Sequence, residues 1–474
     1  MESIGISFAD VLTLLVLLAV MAFVSYRSAK KSVTTDDYLA AGRSLGRIQA
    51  GFSMAATDIG GNSVVGAVAF AYGTGLGGVW YNWGAVLPLF ILAFILAGQL
   101  RSLDINSVPE LLGKRYNGAT RLLATVTQLL AMGVGLGGQF AVAGSTLSTV
   151  LGVSHTVGIM ISVVILIMLT SGGGLLAVVN DDVVMFLIIC LSIVIAIPVC
   201  LSAGGGWETI SRSLPEGYLD IGSQGILLPV SLGLLFMFDY GTQQSYLQRV
   251  LSAKDESTAR FAYIFTGTTY IFFGLAVAFL GVLAYALLPN LDNSTLAYAT
   301  MIKEYMPAGV RGLVLGGIFA AAMSSADSKI VAAASLFIND IYQTHIRKGT
   351  TGSDRELLRI SRFTAASICV LGIVVSMFSQ SLIQIMYTVG LFYSTAVFIP
   401  MLAALYWKRA TAAGALVSMI SSIIVGLYFE YFIYGKADGL IGTIPSNLIA
   451  IAVSLILFVI VSLLTERQGG SRTQ

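Results

Sequence analysis

Charged residues and metal ligands are scarce in this sequence. Only 11% of its 474 residues are charged, against about one quarter in a typical soluble domain. Two histidines, His155 and His345, and three cysteines, Cys190, Cys200 and Cys369, are too few for a His/Cys metal cluster or a disulfide framework. A phosphate-binding G-x-x-x-x-G-K-[ST] loop is absent, which argues against ATP as the energy source within this chain. The net charge of +2 gives no reason to expect a nucleic-acid partner.

Apolar stretches of membrane-spanning length account for most of the chain. Hydrophobic residues make up 56% of the sequence, and no hydrophilic module remains once the apolar stretches are removed. The sequence therefore predicts an all-α polytopic membrane protein with a single transmembrane domain over residues 1–474. About thirteen spans are predicted, at 8–26, 47–74, 79–100, 119–150, 155–172, 174–203, 224–247, 261–289, 308–342, 359–378, 380–406, 411–434 and 443–465.

The distribution of basic residues predicts the orientation. The segment before the first span has two acids and no base, unlike a cleaved signal peptide, whereas Arg27, Lys30 and Lys31 follow this span. If these bases are cytoplasmic, 21 of the 26 basic residues fall in segments that alternation places inside, Arg249 among them. We therefore expect the amino terminus outside and the carboxyl terminus inside.

Two predicted spans contain polar clusters that would interrupt a helix. Residues 57–63 of the second span read TDIGGNS, and residues 239–244 of the seventh read DYGTQQ. Unwound backbone at membrane depth lines cavities, where its free carbonyls bind cations, and two such breaks five spans apart are typical of an inverted repeat. We predict repeats over 47–203 and 224–406, preceded by an extra helix at 8–26 and followed by carboxy-terminal helices at 411–465. Close helix packing through glycine is the alternative for the first cluster, and a solvated Asp239 near Arg249 in the inner headgroup region is the alternative for the second.

Several ionisable residues lie within predicted spans, where they are costly and usually face a cavity, a partner or an ion. The ninth span contains Asp327 together with three serine hydroxyls in AAAMSSADSK, and such oxygen atoms are the ligands that alkali cations prefer. Hydrogen bonds from these hydroxyls to the preceding helical turn are the alternative. We expect Lys329 to pair with Asp181, Asp182 or Asp327.

Seven sequence motifs, in order along nearly the whole chain, resemble those of the sodium:solute symporters, a family that includes proline, sialic acid, pantothenate, sugar, iodide and choline carriers. The matching segments are DDYLAAGRSLG (36–46), AATDIGG (55–61), VPELLGKRY (108–116), GGLLAVVNDDVV (173–184), YLQRVLSAKDESTAR (246–260), AAAMSSADS (320–328) and LYWKRATAAGA (405–415). The resemblance implies a LeuT-type fold of five plus five inverted helices.

The same resemblance implies ion sites. It places a sodium ion against carbonyl and hydroxyl oxygens of the first and eighth core helices, at Ala56, Ile59, Ala321, Ser324 and Ser325. Asp58 matches an aspartate that proline carriers use near this ion. A second ion or proton site in some members corresponds to Asp182, Asp327 and Ser328. Relatives with a second sodium ion commonly have a small hydroxyl residue in place of Asp327 and no nearby base, so Asp327 and Lys329 argue against that ion here.

The two broken spans and the family position of the substrate define candidate pocket residues. An acid beside aromatic rings suits an amine, an amino acid or a quaternary ammonium compound. A membrane-interface belt is the alternative for the VWYNWG segment. A sugar is disfavoured, because sugar carriers have tyrosine and tryptophan where this chain has Asp239 and Tyr240. The candidates are Asn62, Ser63, Trp80, Tyr81, Trp83, Phe236, Asp239, Tyr240, Phe392 and Tyr393.

These observations predict a sodium-coupled symporter that imports a small organic solute by alternating access. We expect no enzymatic activity, no cofactor besides the coupling sodium ion, no obligatory protein partner, and a location in a bacterial inner membrane. Two alternatives remain open: a proton-coupled symporter, and a carrier of an organic anion such as a monocarboxylate. The sequence shows no pocket base to support the anion alternative, but helix termini can also hold a carboxylate.

Overall fold

The computed structural model describes residues 7–29, 39–103, 105–170, 174–348, 352–378 and 382–466. Within these ranges all regular elements are helices, apart from one isolated bridge between Leu45 and Ala253. Lys30, Lys31 and the beginning of the motif at 36–46 lie outside the described residues, as do parts of the predicted spans 155–172 and 380–406. The α-helices are α1 (Phe8–Ala29), α2 (Arg47–Asp58), α3 (Ala67–Thr74), α4 (Trp80–Trp83), α5 (Val86–Ile95), α6 (Ala97–Ser102), α7 (Val108–Arg115), α8 (Gly118–Leu151), α9 (His155–Thr170), α10 (Gly174–Ala203), α11 (Trp207–Ser213), α12 (Leu227–Thr242), α13 (Gln244–Leu251), α14 (Glu256–Leu287), α15 (Ala297–Tyr305), α16 (Val310–Leu336), α17 (Asp354–Phe378), α18 (Leu382–Val389), α19 (Thr395–Tyr406), α20 (Ala412–Tyr428) and α21 (Ser446–Thr465).

Ten helices in the described part of the chain are long and apolar enough to cross a membrane. This number is smaller than the thirteen predicted spans, partly because some predicted spans are divided or short in the structure. The seventh predicted span, for example, consists of α12, with 16 residues, and α13, with 8 residues. The count of thirteen spans therefore stays a prediction.

Helix α16 lies at the centre of the bundle and is buried along nearly its whole length. All of its residues except Val310 and Leu313 are buried, and it packs against α1, α2, α8, α10 and α17. Its many glycine, alanine and serine residues permit this close approach. At Gly317, for instance, an added Cβ atom would lie 2.1 Å from Ser192 Oγ on α10. The helix that carries the predicted ion-binding serines is thus the most enclosed long helix of the bundle.

The amino-terminal helix α1 is attached to the beginning of α16 through Asp10. This side chain is almost fully buried, and its Oδ1 atom accepts hydrogen bonds from the backbone N–H groups of Gly309 at 2.8 Å and Gly312 at 3.1 Å. Its Oδ2 atom lies 3.5 Å from Arg311 Nε. Because a carboxylate is stabilised at a helix N-terminus, Asp10 both caps α16 and pairs with its first basic residue.

Both predicted helix interruptions are present. Helix α2 ends at Asp58, and Ile59 adopts φ −74° and ψ 60°, the geometry of an inverse γ-turn, which is closed by a 2.7 Å bond from Gly60 N–H to the Asp58 carbonyl. A π-helical turn, Asn62–Gly66, then leads into α3. Between α12 and α13, Gln243 is extended, with φ −66° and ψ 124°. The two polar clusters therefore break the backbone, and they do not serve only for helix packing.

Candidate functional site

A cavity lies between the two broken helices, with about 740 Å³ of empty space that includes its opening. Its wall is formed by the break after α2, by α4, by the break between α12 and α13, and by faces of α8, α16 and α18. The sequence-predicted substrate residues that line it are Asn62, Ser63, Tyr81, Phe236 and Asp239, and Asp58 and Ser325 of the predicted ion site line it too.

The other predicted substrate residues do not line the cavity. The indole N–H groups of Trp80 and Trp83 donate to the carbonyls of Ile221 and Ile271, each at 3.0 Å, so both rings are engaged outside the cavity. This position agrees with the alternative that these tryptophans belong to a membrane-interface belt.

The aromatic residues Tyr240, Phe392 and Tyr393 lie behind the cavity wall. The Tyr240 ring stacks on Phe236 with a centroid separation of 5.6 Å, which places it in the second layer of side chains. The Tyr393 hydroxyl donates to the Thr242 carbonyl at 3.2 Å, and Phe392 packs on the hydrophobic core. These three residues support the shape of the wall but are not among its lining residues.

Asp239 lines the cavity at the second break. Its Oδ1 atom accepts hydrogen bonds from Ser394 Oγ at 2.6 Å and from Gln243 Nε2 at 2.9 Å. The alternative of a solvated Asp239 near Arg249 is wrong, because Asp239 lines the cavity and Arg249 is bound to Asp182. Asp239 is therefore a carboxylate of the cavity wall, held in place by two neutral donors.

Three of the predicted sodium-binding residues, Ala56, Ile59 and Ser325, lie where the break after α2 contacts α16. Ser325 Oγ donates to the Thr57 carbonyl at 2.6 Å, so the two helices are joined at this point. The Gly60 N–H group donates to the Asp58 carbonyl and not to the carbonyl of Ala56, four residues back, as it would in a continuous helix. The helices approach closely here, since a Cβ atom added to Gly60 would lie 2.2 Å from Ser325 Oγ. The unwound backbone after α2 and the Ser325 hydroxyl are therefore in contact and buried together.

A buried cluster of polar side chains surrounds Asp182 on α10. Its Oδ2 atom accepts a hydrogen bond from Ser53 Oγ at 2.5 Å and lies 3.1 Å from Arg249 Nη2. The same Nη2 atom donates to Ser328 Oγ at 2.5 Å, and this hydroxyl lies 2.9 Å from Thr57 Oγ1. The cluster joins α2, α10, α13 and α16.

The distribution of bases predicts Arg249 in a cytoplasmic segment, but the structure places it inside the helix bundle. Its side chain is fully buried, as are all eight residues of α13. The sequence does contain a signal for this placement. Arg249 follows the break at Gln243 by only six residues, which is less than two helical turns, so it is still inside the bundle.

Several oxygen atoms near the predicted ion sites are buried without a hydrogen-bond partner. They include Asp58 Oδ2, Asp182 Oδ1 and Ser324 Oγ. Ser324 lies close enough to Asp182 to influence its carboxylate. Because a buried polar atom normally has a partner, such a group of oxygen atoms is suited to an ion or a proton. Among the described residues, no three His, Cys, Asp or Glu side chains form a transition-metal type of cluster.

Lys329 lies in the cavity wall, and its predicted ion pairs are wrong for the described residues. Asp182 pairs with Arg249, Asp181 lies next to Ser25 of α1, and Asp327 lies on the side of α16 near Cys369. The structure thus does not bring Asp327 to the cluster around Asp182 and Ser328. The signal for Lys329 is its spacing, since residues four apart on a helix share a face and Lys329 follows Ser325 by four.

Further cavity residues come from elements that sequence reasoning left aside. Gln139 of α8 lines the cavity, and its Oε1 atom accepts a hydrogen bond from Gly61 N–H at 2.8 Å. Gln243, Ser245 and Tyr246 line it from the second break. Nothing in the sequence of α8 marks Gln139, because its role depends on which face of that long helix meets the first break.

Comparison with known proteins decides the family. Residues 38–422 match the profile of the Sodium:solute symporter family. The chain belongs to this family. It is an integral membrane protein, and its family membership supports sodium-coupled symport.

Characterised relatives within this family transport different solutes. The chain is 24% identical to the sodium/glucose cotransporter of Vibrio parahaemolyticus, over 90% of this chain and 86% of that one. It is 24% identical to the osmoregulated proline transporter of Bacillus subtilis (94% and 93% covered) and 26% identical to the sodium/proline symporter of Staphylococcus aureus (96% and 91% covered).

Solved structures show the fold. A Na+-coupled sialic acid symporter in a substrate-bound outward-open state superposes with a TM-score of 0.82 at 22% identity, covering 97% of this chain and 98% of that one. MhsT in complex with L-phenylalanine superposes with a TM-score of 0.57 at 12% identity, covering 88% and 98%. The all-helical architecture is therefore the LeuT-type fold that the sequence motifs imply.

Proposed function

We propose that this protein is a sodium-coupled symporter that imports a small organic solute by alternating access. The observation that carries the proposal is the meeting of the broken end of α2 with the serines of α16. Sodium would bind to the carbonyls of Ala56, Ile59 and Ala321 and to the hydroxyls of Ser324 and Ser325. In support, Gly60 N–H does not donate to the Ala56 carbonyl, so this oxygen atom is available to a cation, and Ser324 Oγ lies beside the Asp182 carboxylate.

Bound sodium would couple the two repeats that we propose over 47–203 and 224–406. Because α2 belongs to the first repeat and α16 to the second, an ion that both helices bind would hold them in one relative arrangement. This arrangement would form the cavity and stabilise the outward-facing state, and loss of sodium to the cytoplasm would favour release of the solute inward. Coupling of this kind is reciprocal, so the solute would raise the affinity for sodium by the same factor.

We propose that the substrate is an amine, an amino acid or a quaternary ammonium compound. The cavity contains the carboxylates of Asp58 and Asp239, and the aromatic rings of Phe236 and Tyr81 also line it. We also propose that the amino terminus faces outside and the carboxyl terminus inside, in the inner membrane of a bacterium. The basic residues that remain exposed in the segments expected to be cytoplasmic support this orientation.

The sodium site is tested with the detergent-purified protein by its thermal unfolding in sodium chloride and in potassium chloride at equal ionic strength. A cation that binds only the native state raises the midpoint by mass action. We expect a sodium-specific rise in the wild type, its loss in the double variant Ser324→Ala with Ser325→Ala, and its retention in Ser376→Ala. The last variant removes a buried serine of α17 that only donates to its own helix. A sodium response that survives the double substitution contradicts the assignment.

Proton coupling is a second candidate, because Asp58 Oδ2 and Asp182 Oδ1 are buried carboxylate oxygens without partners. A proton bound to either carboxylate would neutralise its charge and would take the role of sodium as the coupling ion. In this case the midpoint would follow pH and would be equal in sodium and potassium. The same measurement, repeated over a range of pH, therefore separates the two coupling ions.

A further inference from the structure

The cavity contains one basic side chain, Lys329, whose surroundings are unusual for a buried ammonium group. It is 9% exposed and lines the cavity from α16. The aliphatic part of its side chain lies between α8 and α18. A Cβ atom added to Gly135 of α8 would be 3.0 Å from Lys329 Cε, and its next neighbour would be Val389 of α18. The absence of a side chain at Gly135 leaves room for the lysine to extend along the wall.

No carboxylate oxygen of the described residues lies within 4.0 Å of the Lys329 ammonium group. This distinguishes Lys329 from the buried bases Arg249 and Arg311, each of which has an acidic partner within that distance. A charged group in a membrane interior without a partner is costly, and such groups usually serve a ligand or an ion. Lys329 is thus a base that lines the cavity and has no acidic partner within ion-pair distance among the described residues.

Neither acid of the cavity, Asp58 or Asp239, forms an ion pair with Lys329. Asp239 and Asp58 are the carboxylates whose charges act most strongly on Lys329. Asp239 already accepts from Ser394 Oγ and Gln243 Nε2. The cavity wall thus carries two acids and one base, with no acid oxygen within 4.0 Å of the Lys329 amino group among the described residues.

We propose that Lys329 binds the carboxylate of the transported solute, so that the substrate is a small carboxylate-bearing compound of the amino-acid type. This inference rests on the proposed symport function and narrows its substrate set. The three donor positions of an ammonium group can hold a carboxylate in a charge-assisted hydrogen bond. The amino group of the same solute would then face Asp239 and Asp58.

The alternatives fit the charges less well. A simple amine or a quaternary ammonium compound would add a second cation to the cavity and leave Lys329 without a partner. A dicarboxylate would bring a second negative charge towards Asp58 and Asp239, where like charges repel. A compound with one carboxylate and one amino group satisfies both signs at once.

The first test uses the wild-type protein and therefore does not depend on any variant. Thermal unfolding in sodium chloride is measured with a panel of amino acids, including proline, alanine and phenylalanine, and with the amide and the decarboxylated amine of each. Choline is added as the quaternary ammonium probe. We expect stabilisation only by members with a free carboxylate. Equal stabilisation by an amide, an amine or choline overturns the proposal.

The second test compares Lys329→Met, Lys329→Arg and the control Lys254→Met, which removes an exposed lysine. A hydrogen bond to a charged group corresponds to roughly a tenfold to hundredfold change in binding constant. We expect the apparent Kd of the stabilising amino acid to rise by that factor in Lys329→Met, less in Lys329→Arg, and not in the control. Unchanged affinity in Lys329→Met overturns the proposal.

The two proposals fail in different ways. The midpoint shift caused by sodium alone, without solute, reports on the site at Ser324 and Ser325, and we expect Lys329→Met to retain it. If the wild type lacks the sodium shift, the symport proposal fails whatever the amino acids do. If the sodium shift is present and the carboxylate has no effect beyond its amide, only the role of Lys329 fails.

Discussion

At the scale of single residues, Asp182 and Arg249 form an ion pair that is buried between helices of the bundle. Both side chains are almost fully buried, with 1% and 0% of their side-chain surface exposed. A pair of this kind contributes little net stability, but removal of one partner leaves a buried charge without compensation. Its hydrogen bonds also fix which faces of α2, α13 and α16 meet.

Arg249→Met should therefore lower the free energy of unfolding by about 3–5 kcal/mol, a loss of the size found when one partner of a buried pair is removed. Thermal or denaturant unfolding of the purified protein measures this change. Arg212→Met, at an exposed pair with Glu208 that is 77% and 82% exposed, should leave stability nearly unchanged. The double variant with Asp182→Asn should recover part of the loss. Equal effects at the exposed and the buried arginine would contradict this account.

Gly60 allows the backbone of the first break to approach Ser325. Gly60→Ala would place a methyl group where the Ser325 hydroxyl lies, at 2.2 Å, so the two helices would have to separate. We expect at least a tenfold loss of sodium affinity, corresponding to about 1.4 kcal/mol, measured by the sodium dependence of the unfolding midpoint. The matched control is Gly73→Ala in α3, where an added Cβ atom meets no atom within 4 Å. Preserved sodium affinity in Gly60→Ala would show that this approach does not position the site.

At the scale of helices, the sequence predicts the elements well where composition and spacing carry the information. The polar clusters at 57–63 and 239–244 mark both breaks, because unsatisfied backbone groups need polar or glycine surroundings at membrane depth. The number of spans is harder to predict, since α12 and α13 together make one apolar stretch in the sequence but two helices in the structure.

Asp10 makes the polar contacts between α1 and the beginning of α16 among the described residues. Asp10→Ala removes two hydrogen bonds to the N-terminus of α16 and leaves Arg311 without its acidic partner. We expect a loss of about 2–4 kcal/mol in the free energy of unfolding, from the cap and the unpaired base together. Asp292→Ala, at an exposed loop acid, is the control in the same unfolding measurement. If both variants unfold alike, the junction does not stabilise the bundle.

At the scale of the whole molecule, orientation in the membrane can be tested with single cysteines. In a background that lacks Cys190, Cys200 and Cys369, Asp220→Cys and Lys254→Cys each place one thiol at an exposed position. With the amino terminus outside, a membrane-impermeant maleimide added to intact cells should label only Asp220→Cys, and Lys254→Cys should react after the membrane is opened. Labelling with the opposite pattern would reverse the proposed orientation.

The site was less predictable than the fold, for a physical reason. Asp58, Asn62 and Asp239 lie at the breaks, where the residue type and the backbone break coincide in the sequence. Lys329 and Gln139 lie on continuous helices, and their role depends on which face meets the cavity. That information is contained in the packing of α8, α16 and α18, which a single sequence does not display.

The separation of Asp182 and Arg249 along the chain also bears on how the protein is made. Arg249 is synthesised 67 residues after Asp182, so the carboxylate enters the bilayer before its partner exists. An aspartate costs about 2.5–3.5 kcal/mol at the centre of a lone helix on the scale of translocon insertion, and less towards the end of the helix, where Asp182 lies. The very apolar helix α10 is able to offset this cost during synthesis. Its final position, however, is fixed only when α13 arrives, so the first half of the molecule completes its assembly after the second half has begun to insert.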